Sequence, residues 1–539
     1  MHESKRDHHD HRPISPDLRE NMEYCKRVMG NSNDLMMRSL QCLHKWPAVM
    51  LYIDGLVDIQ ILNHSIMESL LQKQDLPEFS ADDEHLRYLQ NDILIASNVM
   101  LVDDIEDVLN ALLSGSAILL LEGSVKGLKI GAAGWEDRSV GEPVSQTVVR
   151  GPMEGFNENL RTNTSLIRKR IRDPHLWIEE REIGRVTKTR VAVLYLEHIV
   201  DQEIVQELRQ RLDEIDIDSI LESGYIEELV QDKTGTIFPT VYNSERPDTV
   251  SAALLEGRVA IIVDGTPFVL LVPALFVHFF QSPEDYYQRA DISTLIRMIR
   301  YLAFFIALLA PSFYIAITTF HQEMLRINLL ISLAAQREGV PFPAFIEALL
   351  MELTYEILRE AGIRIPKTVG QAVSIVGTLV IGQAAVDAGV VSAAMVIIVS
   401  ITAISSYVIP ENGLSISVRI LRFVLMILAA AFGFYGILIV LLITVTHLCS
   451  LRSFGVSYMS PFAPFIQKDL KDTIFRVPWS HMKTRPLSTS ATNEVRQATK
   501  KRSGNLVRSA HHEEMLMLNF VLCHSAPSPY RMLGSPGTE

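Results

Sequence analysis

The sequence predicts an α/β soluble head of two related subdomains, followed by an all-α transmembrane domain of about four spans plus an amphipathic helix. Three observations carry this reading. Twenty consecutive uncharged residues, Tyr301 to Phe320, open an apolar block that runs to about Leu451. The residues before them read as a water-soluble protein. Two separate segments of that head recur at nearly one offset, 143 and 142 residues. Averages conceal the split, because 48% hydrophobic, 21% charged and a mean hydropathy of +0.18 blend two solvents into one number.

Residues 1–44 begin MHESKRDHHDHRPISPD, without the apolar core of a cleaved signal peptide, and are expected to form a flexible tail on the side where the chain is made. His8, His9 and His11 offer metal-binding atoms, but nothing nearby would fix ligand geometry and they receive no role.

The predicted subdomains are 45–149 and 188–296. LYIDGLVD from Leu51 matches LYLEHIVD from Leu194, and LLSGSAILLLEG from Leu112 matches LLEGRVAIIVDG from Leu254. Each copy opens with a β-rich apolar run and continues into an amphipathic stretch headed by an Asp suited to an N-cap, Asp58 or Asp201. Each closes with two strand-like runs joined through EG or DG, which supply tight-turn residues. Between the copies, 150–187 reads as a charged helical connector whose acids and bases stand at spacings that allow ion pairs across adjacent turns. One reading is a solvated helix. The sharper one makes Arg150, Glu154, Glu158, Arg161 and Arg168 a subunit contact.

The transmembrane domain, 297–451, has candidate spans at about 301–320, 369–386, 388–409 and 423–447. The central pair, parted by Asp387, is rich in small residues at close-packing spacing (Gly370/Ser374, Gly389/Ala393) and in hydroxyl and amide groups, which must face protein or water rather than lipid. Either this hairpin packs within one subunit, or it lines a pore with Gly377, Gly382 and Asp387 as gating candidates and Val391 or Ile398 as the apolar constriction. A helix at 343–362, bounded by Pro343 and Pro366, gathers Glu352, Glu356, Arg359 and Glu360 on about a third of its circumference. That face belongs in water if the helix is interfacial, or in a ring of subunits makes Glu352, Glu356 and Glu360 a cation-attracting vestibule. Arg297 and Arg300 before the first span, with Arg452, Lys468, Lys471 and Arg476 after the last, place both ends and the 452–539 tail in the cytoplasm. In that count Arg419 and Arg422 fall on the opposite side.

A net charge of −13 argues against nucleic-acid binding. The four cysteines fit neither a disulfide framework nor a CxxC metal site. GxxxxGK[ST], GxGxxG, GxSxG and HExxH are all lacking, so no catalytic, cofactor or metal residue is predicted and the chain is expected not to be an enzyme.

The runs RGPMEGFNENLRTN, ERPDTVSAALLEGRVAIIVDGTPF, PSFYIAITTFHQEM, REGVPFPAFIEALLMELTYEILREAGIRIP and GQAVSIVGTLVIGQAAVDAGVVSAAMVIIVSITAISSYVIP strongly resemble the A subunits of spore germinant receptors, the GerA family, over about residues 45–485. The resemblance implies an inner-membrane protein of endospores that acts with a transporter-like, nutrient-binding B subunit and a lipoprotein C subunit, and that assembles with copies of itself into a nutrient-gated ion channel. Two stretches depart from the family pattern: LRINLL follows HQEM where a proline is usual, and the tail from about Arg502 matches nothing in it. Two other readings stand beside the channel: a non-conducting scaffold of the same family, and a secondary transporter, for which about four spans with one polar hairpin are too few.

Overall fold

The computed structural model describes residues 12–72, 84–96, 98–134, 141–364, 382–489 and 493–497. In the head, β1 (Leu35–Cys42), β2 (Trp46–Ile53), β3 (Val99–Val102), β4 (Ser116–Leu121) and β5 (Gly127–Gly131) form an antiparallel sheet of order β1-β2-β4-β5-β3. The strands β6 (Leu176–Ile183), β7 (Thr189–Leu196), β8 (Tyr242–Ser244), β9 (Val259–Val263) and β10 (Val269–Val272) repeat it as β6-β7-β9-β10-β8. Register repeats as well: Val49 faces Leu120 in the first sheet, and Ala192 faces Ile262 in the second. The duplication read from the sequence is therefore a duplication of fold.

Both faces of each sheet are covered, which is why the central strands are continuously apolar rather than alternating. Along β2, Ala48 and Met50 enter one core while Val49, Leu51 and Ile53 enter another. Along β7, Ala192, Leu194 and Leu196 part in the same way from Val191, Val193 and Tyr195. Asp58 accepts from the backbone N–H groups of Gln60 and Ile61, and Asp201 from that of Glu203, as the N-cap reading expects. The EG and DG turns place Gly123 and Gly265 at φ +82° and +92°.

Two expected boundaries move. The 1–44 tail contains α1 (Leu18–Val28), capped by Asp17, and the edge strand β1. Leu18, Cys25 and Met29 on the inner side of α1 pack into the first copy's core, so that copy begins well before residue 45. The connector is helical only over α2 (Leu160–Arg170), capped by Asn159, and then becomes β6, whose pairing with β7 makes it part of the second sheet.

The helical half begins with α3 (Ala290–Thr319), which leaves the head and packs against α5 (Ala393–Tyr407) and α6 (Asn412–Phe432). Between them in sequence lies α4 (Ala344–Arg364), and after them α7 (Phe434–Ser450). The span expected at 423–447 is not one helix. The chain reverses at Gly433, at φ +60°, where an added Cβ would stand 2.7 Å from the His321 ring; on Gly436 it would stand 2.2 Å from the Leu428 carbonyl oxygen. Only glycine allows that approach. The α6 start and α7 end both return to the head: the Ser417 hydroxyl donates to the Ile237 carbonyl, and Thr236 Oγ1 lies 2.9 Å from His447 Nε2. By length and composition α3 and α6 suffice to cross a membrane, whereas α5 and α7 are apolar but shorter, 15 and 17 residues. Of the span expected at 369–386, only residues 382–386 are described, in the short helix Gly382–Asp387.

Candidate functional site

The helical half is apolar outside and charged inside. Leu353, Ile357 and Ile363 of α4 are 52%, 62% and 72% exposed, and Ile427, Leu442 and Ile443 of the last two helices are similarly open. The acidic face of α4 turns inward instead. Glu352, fully buried, lies 2.9 Å from Arg422, whose side chain is equally sealed. Glu356 accepts from Arg419 at 2.7 Å and from Arg422 at 3.4 Å. Arg422 sits ten residues into α6, roughly 15 Å from its start at 1.5 Å per residue. This corrects the water-facing vestibule expected of Glu352 and Glu356: each has a guanidinium against it, and only Glu360 is exposed, bonded to Arg364 one turn on. It also accounts for Arg419 and Arg422, which stand on a helix opposite carboxylates rather than in a loop. Buried Glu347 extends the polar seam, pairing with Arg337 at 3.3 Å and accepting at 3.0 Å from the backbone N–H of Ser392, the N-cap of α5.

A second cluster joins head, helices and C-terminal segment. Arg297 and Arg300, which the sequence offers only as positive charges flanking a span, are buried on the first turns of α3. Arg300 donates to both oxygens of Asp285, at 2.8 and 2.7 Å, and Arg297 Nε donates to the same carboxylate at 3.1 Å. Arg297 Nη1 also reaches Asp472 Oδ1 at 2.9 Å and the Thr473 carbonyl at 3.1 Å. Tyr286 donates to Asp472 at 2.8 Å, and burial together with that carboxylate pushes its phenol well above the usual range. The stretch after α7, which the sequence offered only as a cytoplasmic tail from residue 452, is thus bound to the head. Asp285 and Asp472 escaped the sequence reading because they lie 187 residues apart. The visible signal was Arg297 and Arg300 three residues apart on one helix face.

Of the other predicted residues, Val391 is buried within the chain at 2% exposure, Ile398 packs partly against the domain core, and Asp387 is exposed and accepts from Gln383. Gly382 is buried, with Val396 at 3.8 Å from where its Cβ would stand. Gly377 lies outside the described residues. In the connector, Arg168 forms a buried bidentate pair with Asp34 (2.7 and 3.1 Å), and Arg161 pairs with Asp54, so both tie α2 to the first copy of the head within one chain. Glu154 bonds Arg170 at 2.7 Å, while Arg150 and Glu158 are exposed. Among the described residues one group offers metal-ligand atoms together, Asp173, His175 and His198, which spread over as much as 4.8 Å where a tetrahedral zinc site needs roughly 3.3 Å. No metal is assigned to it.

The chain matches the family described as Bacillus/Clostridium GerA spore germination protein over residues 23–488. It belongs to that family. It is 50% identical to "Spore germination protein KA" of Bacillus subtilis (strain 168) over 492 residues, covering 91% of this chain and 90% of the relative. It is 45% identical to "Uncharacterized membrane protein YfkQ" of the same organism (89% and 93% covered) and 39% identical to "Spore germination protein GerLA" of Bacillus cereus (88% and 96% covered). A solved structure, the N-terminal domain of the A subunit of the Bacillus megaterium spore germinant receptor GerK3, is 38% identical and covers 49% of this GerA-family chain and 98% of its own, with a TM-score of 0.40.

Proposed function

We propose that this GerA-family chain is the A subunit of a spore germinant receptor, oligomerising in the spore inner membrane as a nutrient-gated ion channel that triggers germination. The observation that carries the reading is the inverted polarity of the helical half, with Glu352, Glu356 and Arg422 inward and large apolar side chains outward, the arrangement lipid demands. Names of relatives support the germination role, and the match to a protein named as a membrane protein supports the location. In this reading a transporter-like B subunit captures nutrient and a lipoprotein C subunit completes the receptor. The head and C-terminal segment, bound together through Asp285, Arg297 and Asp472, lie on the cytoplasmic or spore-core side. No residue is given a catalytic role: the protein acts as a receptor, not an enzyme.

Reconstitution into liposomes tests this. The chain purified with its partners is expected to release entrapped potassium on addition of nutrient, and native mass measurement of the same preparation gives the number of copies. A complex that forms and binds nutrient yet releases no more ion than protein-free liposomes overturns the channel. That result would favour a non-conducting scaffold, a reading supported by the hydroxyls of α5: Thr402 and Ser406 donate to carbonyls of their own helix, those of Ile398 and Ala403, both at 2.7 Å, rather than standing free for water.

A further inference from the structure

The C-terminal segment does more than grip α3. With the second copy of the head it encloses a cavity of about 400 Å³. Tyr242, Tyr286, Tyr287 and Trp479 line it together with Arg258, Arg485 and Arg496. Two carboxylates also reach the wall, and both are engaged. Asp248 accepts from Arg246 at 3.1 and 2.8 Å and from the Tyr287 hydroxyl at 2.6 Å, and Glu256 pairs with Arg496.

The remaining two arginines have no carboxylate at ion-pair distance among the described residues. Arg258, 5% exposed, donates through Nε to the Pro273 carbonyl at 3.0 Å and lies over the Tyr242 ring at 5.5 Å. Arg485 donates to the carbonyls of Leu255 and Val495, both at 2.8 Å, and of Asn493 at 3.1 Å. Carbonyls satisfy N–H groups but carry no full counter-charge. The field of Glu256 reaches both guanidinium groups, yet that carboxylate is paired with Arg496, so three arginines share one acid. The cost is greatest for buried Arg258 and smaller for half-buried Arg485. Burial accordingly brings the Arg258 guanidinium down to about 10. Guanidinium groups match the planar, two-oxygen geometry of a carboxylate, and the aromatic walls offer faces for an apolar body. The volume falls within the range of small-molecule sites.

We propose that this cavity binds a small organic carboxylate, its charge countering Arg258 and Arg485 and its apolar body lying among the aromatic rings. The site is independent of whether the chain conducts ions. Because one wall is the helix Pro247–Leu254 and the other is the segment that holds Arg297, an occupant would brace the head against the first turns of α3.

The probe is benzoate, titrated calorimetrically into the full chain in lipid nanodiscs in low-chloride buffer, with benzamide as its neutral isostere. Saturable benzoate binding is expected, with benzamide weaker by about tenfold or more, the size of one charge-assisted hydrogen bond. Arg485→Gln and Trp479→Leu should each weaken benzoate by a similar factor. Trp479 is 44% exposed, so its variant keeps the test open should Arg485→Gln not fold. Three results overturn the proposal: no benzoate binding up to about 10 mM, which about nine heavy atoms reach at modest ligand efficiency; benzamide binding equal to benzoate; or unchanged benzoate affinity in a folded variant.

Discussion

The first sheet closes a separate core on each of its faces, whereas the second shares one of its cores with the apolar helices of the C-terminal half. Leu176, Ala192 and Leu271 of the second copy lie in the same cluster as Phe304, Val418 and Leu425. The join is made by Phe276 and Phe280, which follow β10 and pack on Phe304 and Tyr301, while Phe279 between them packs on Tyr242 and Tyr458. At the matching place after β5 the first copy reads AAGWEDR, without an aromatic cluster. That copy is docked by polar contacts instead: the Arg168–Asp34 and Arg161–Asp54 pairs, and the Trp177 indole donating to the Val28 carbonyl at 3.1 Å. Duplication supplied two equivalent faces, and a few apolar side chains join one of them to the helical half. Burial of a shared core is hard to undo; a polar dock is easier to move.

The largest expected effect falls on the shared side. Arg297→Ala leaves Asp285 and Asp472 without their common partner in a buried site and should cost about 3–5 kcal/mol. The loss should appear as a lower unfolding temperature in micelles and as protease access to the segment around Asp472. A variant that stays protected would sharpen the comparison, because the second copy would then be held by its shared apolar core without the Arg297 cluster.

Arg168→Ala strikes the polar dock. Its pair is also buried, but Arg168 meets one carboxylate where Arg297 meets two, so the cost should lie near the lower end, about 3 kcal/mol. Cleavage between the two copies should rise while protection of the second copy is unchanged, which proteolysis followed by mass spectrometry would reveal.

A pH effect sharpens the contrast further. Glu227, on the helix Ser223–Val230 of the second copy, is pushed up to about 7 by burial, with Glu411 at the foot of α6 and Glu222 adding to it. Its folded value lies above the ordinary carboxylate value, so between about 4.5 and 7 the folded state holds more protons than the unfolded one. Stability should therefore fall as pH rises through that window. Glu227→Gln should flatten this part of the unfolding-temperature profile, and a profile identical to the parent would show that the carboxylate is not strained at the junction. The smallest effect is expected of Arg161→Ala, whose pair with Asp54 is partly exposed on both sides: about 0–1 kcal/mol, and less at high salt.

The repeat was legible because strand composition and turn residues are local, and the apolar block because lipid-compatible composition is a property of a single window. Arg168 and Arg161 were read as partners for acids across adjacent turns or for another subunit, whereas the carboxylates they meet, Asp34 and Asp54, lie more than a hundred residues away in the same chain and no spacing rule reaches them. The helix break at Gly433 was missed because an uncharged run reads equally as one long helix or as two meeting at a glycine.

Composition and periodicity by themselves determined that a duplicated α/β head precedes an apolar helical half, and that one helix of that half carries its acids along one face. Tertiary structure decided which way that face looks. Periodicity specifies the angle between side chains around a helix axis, not the medium on either side, so an acidic stripe is equally compatible with water or with buried guanidinium groups. Only the placement of Arg419 and Arg422 opposite Glu352 and Glu356 turns the stripe inward and leaves the apolar side to the outside.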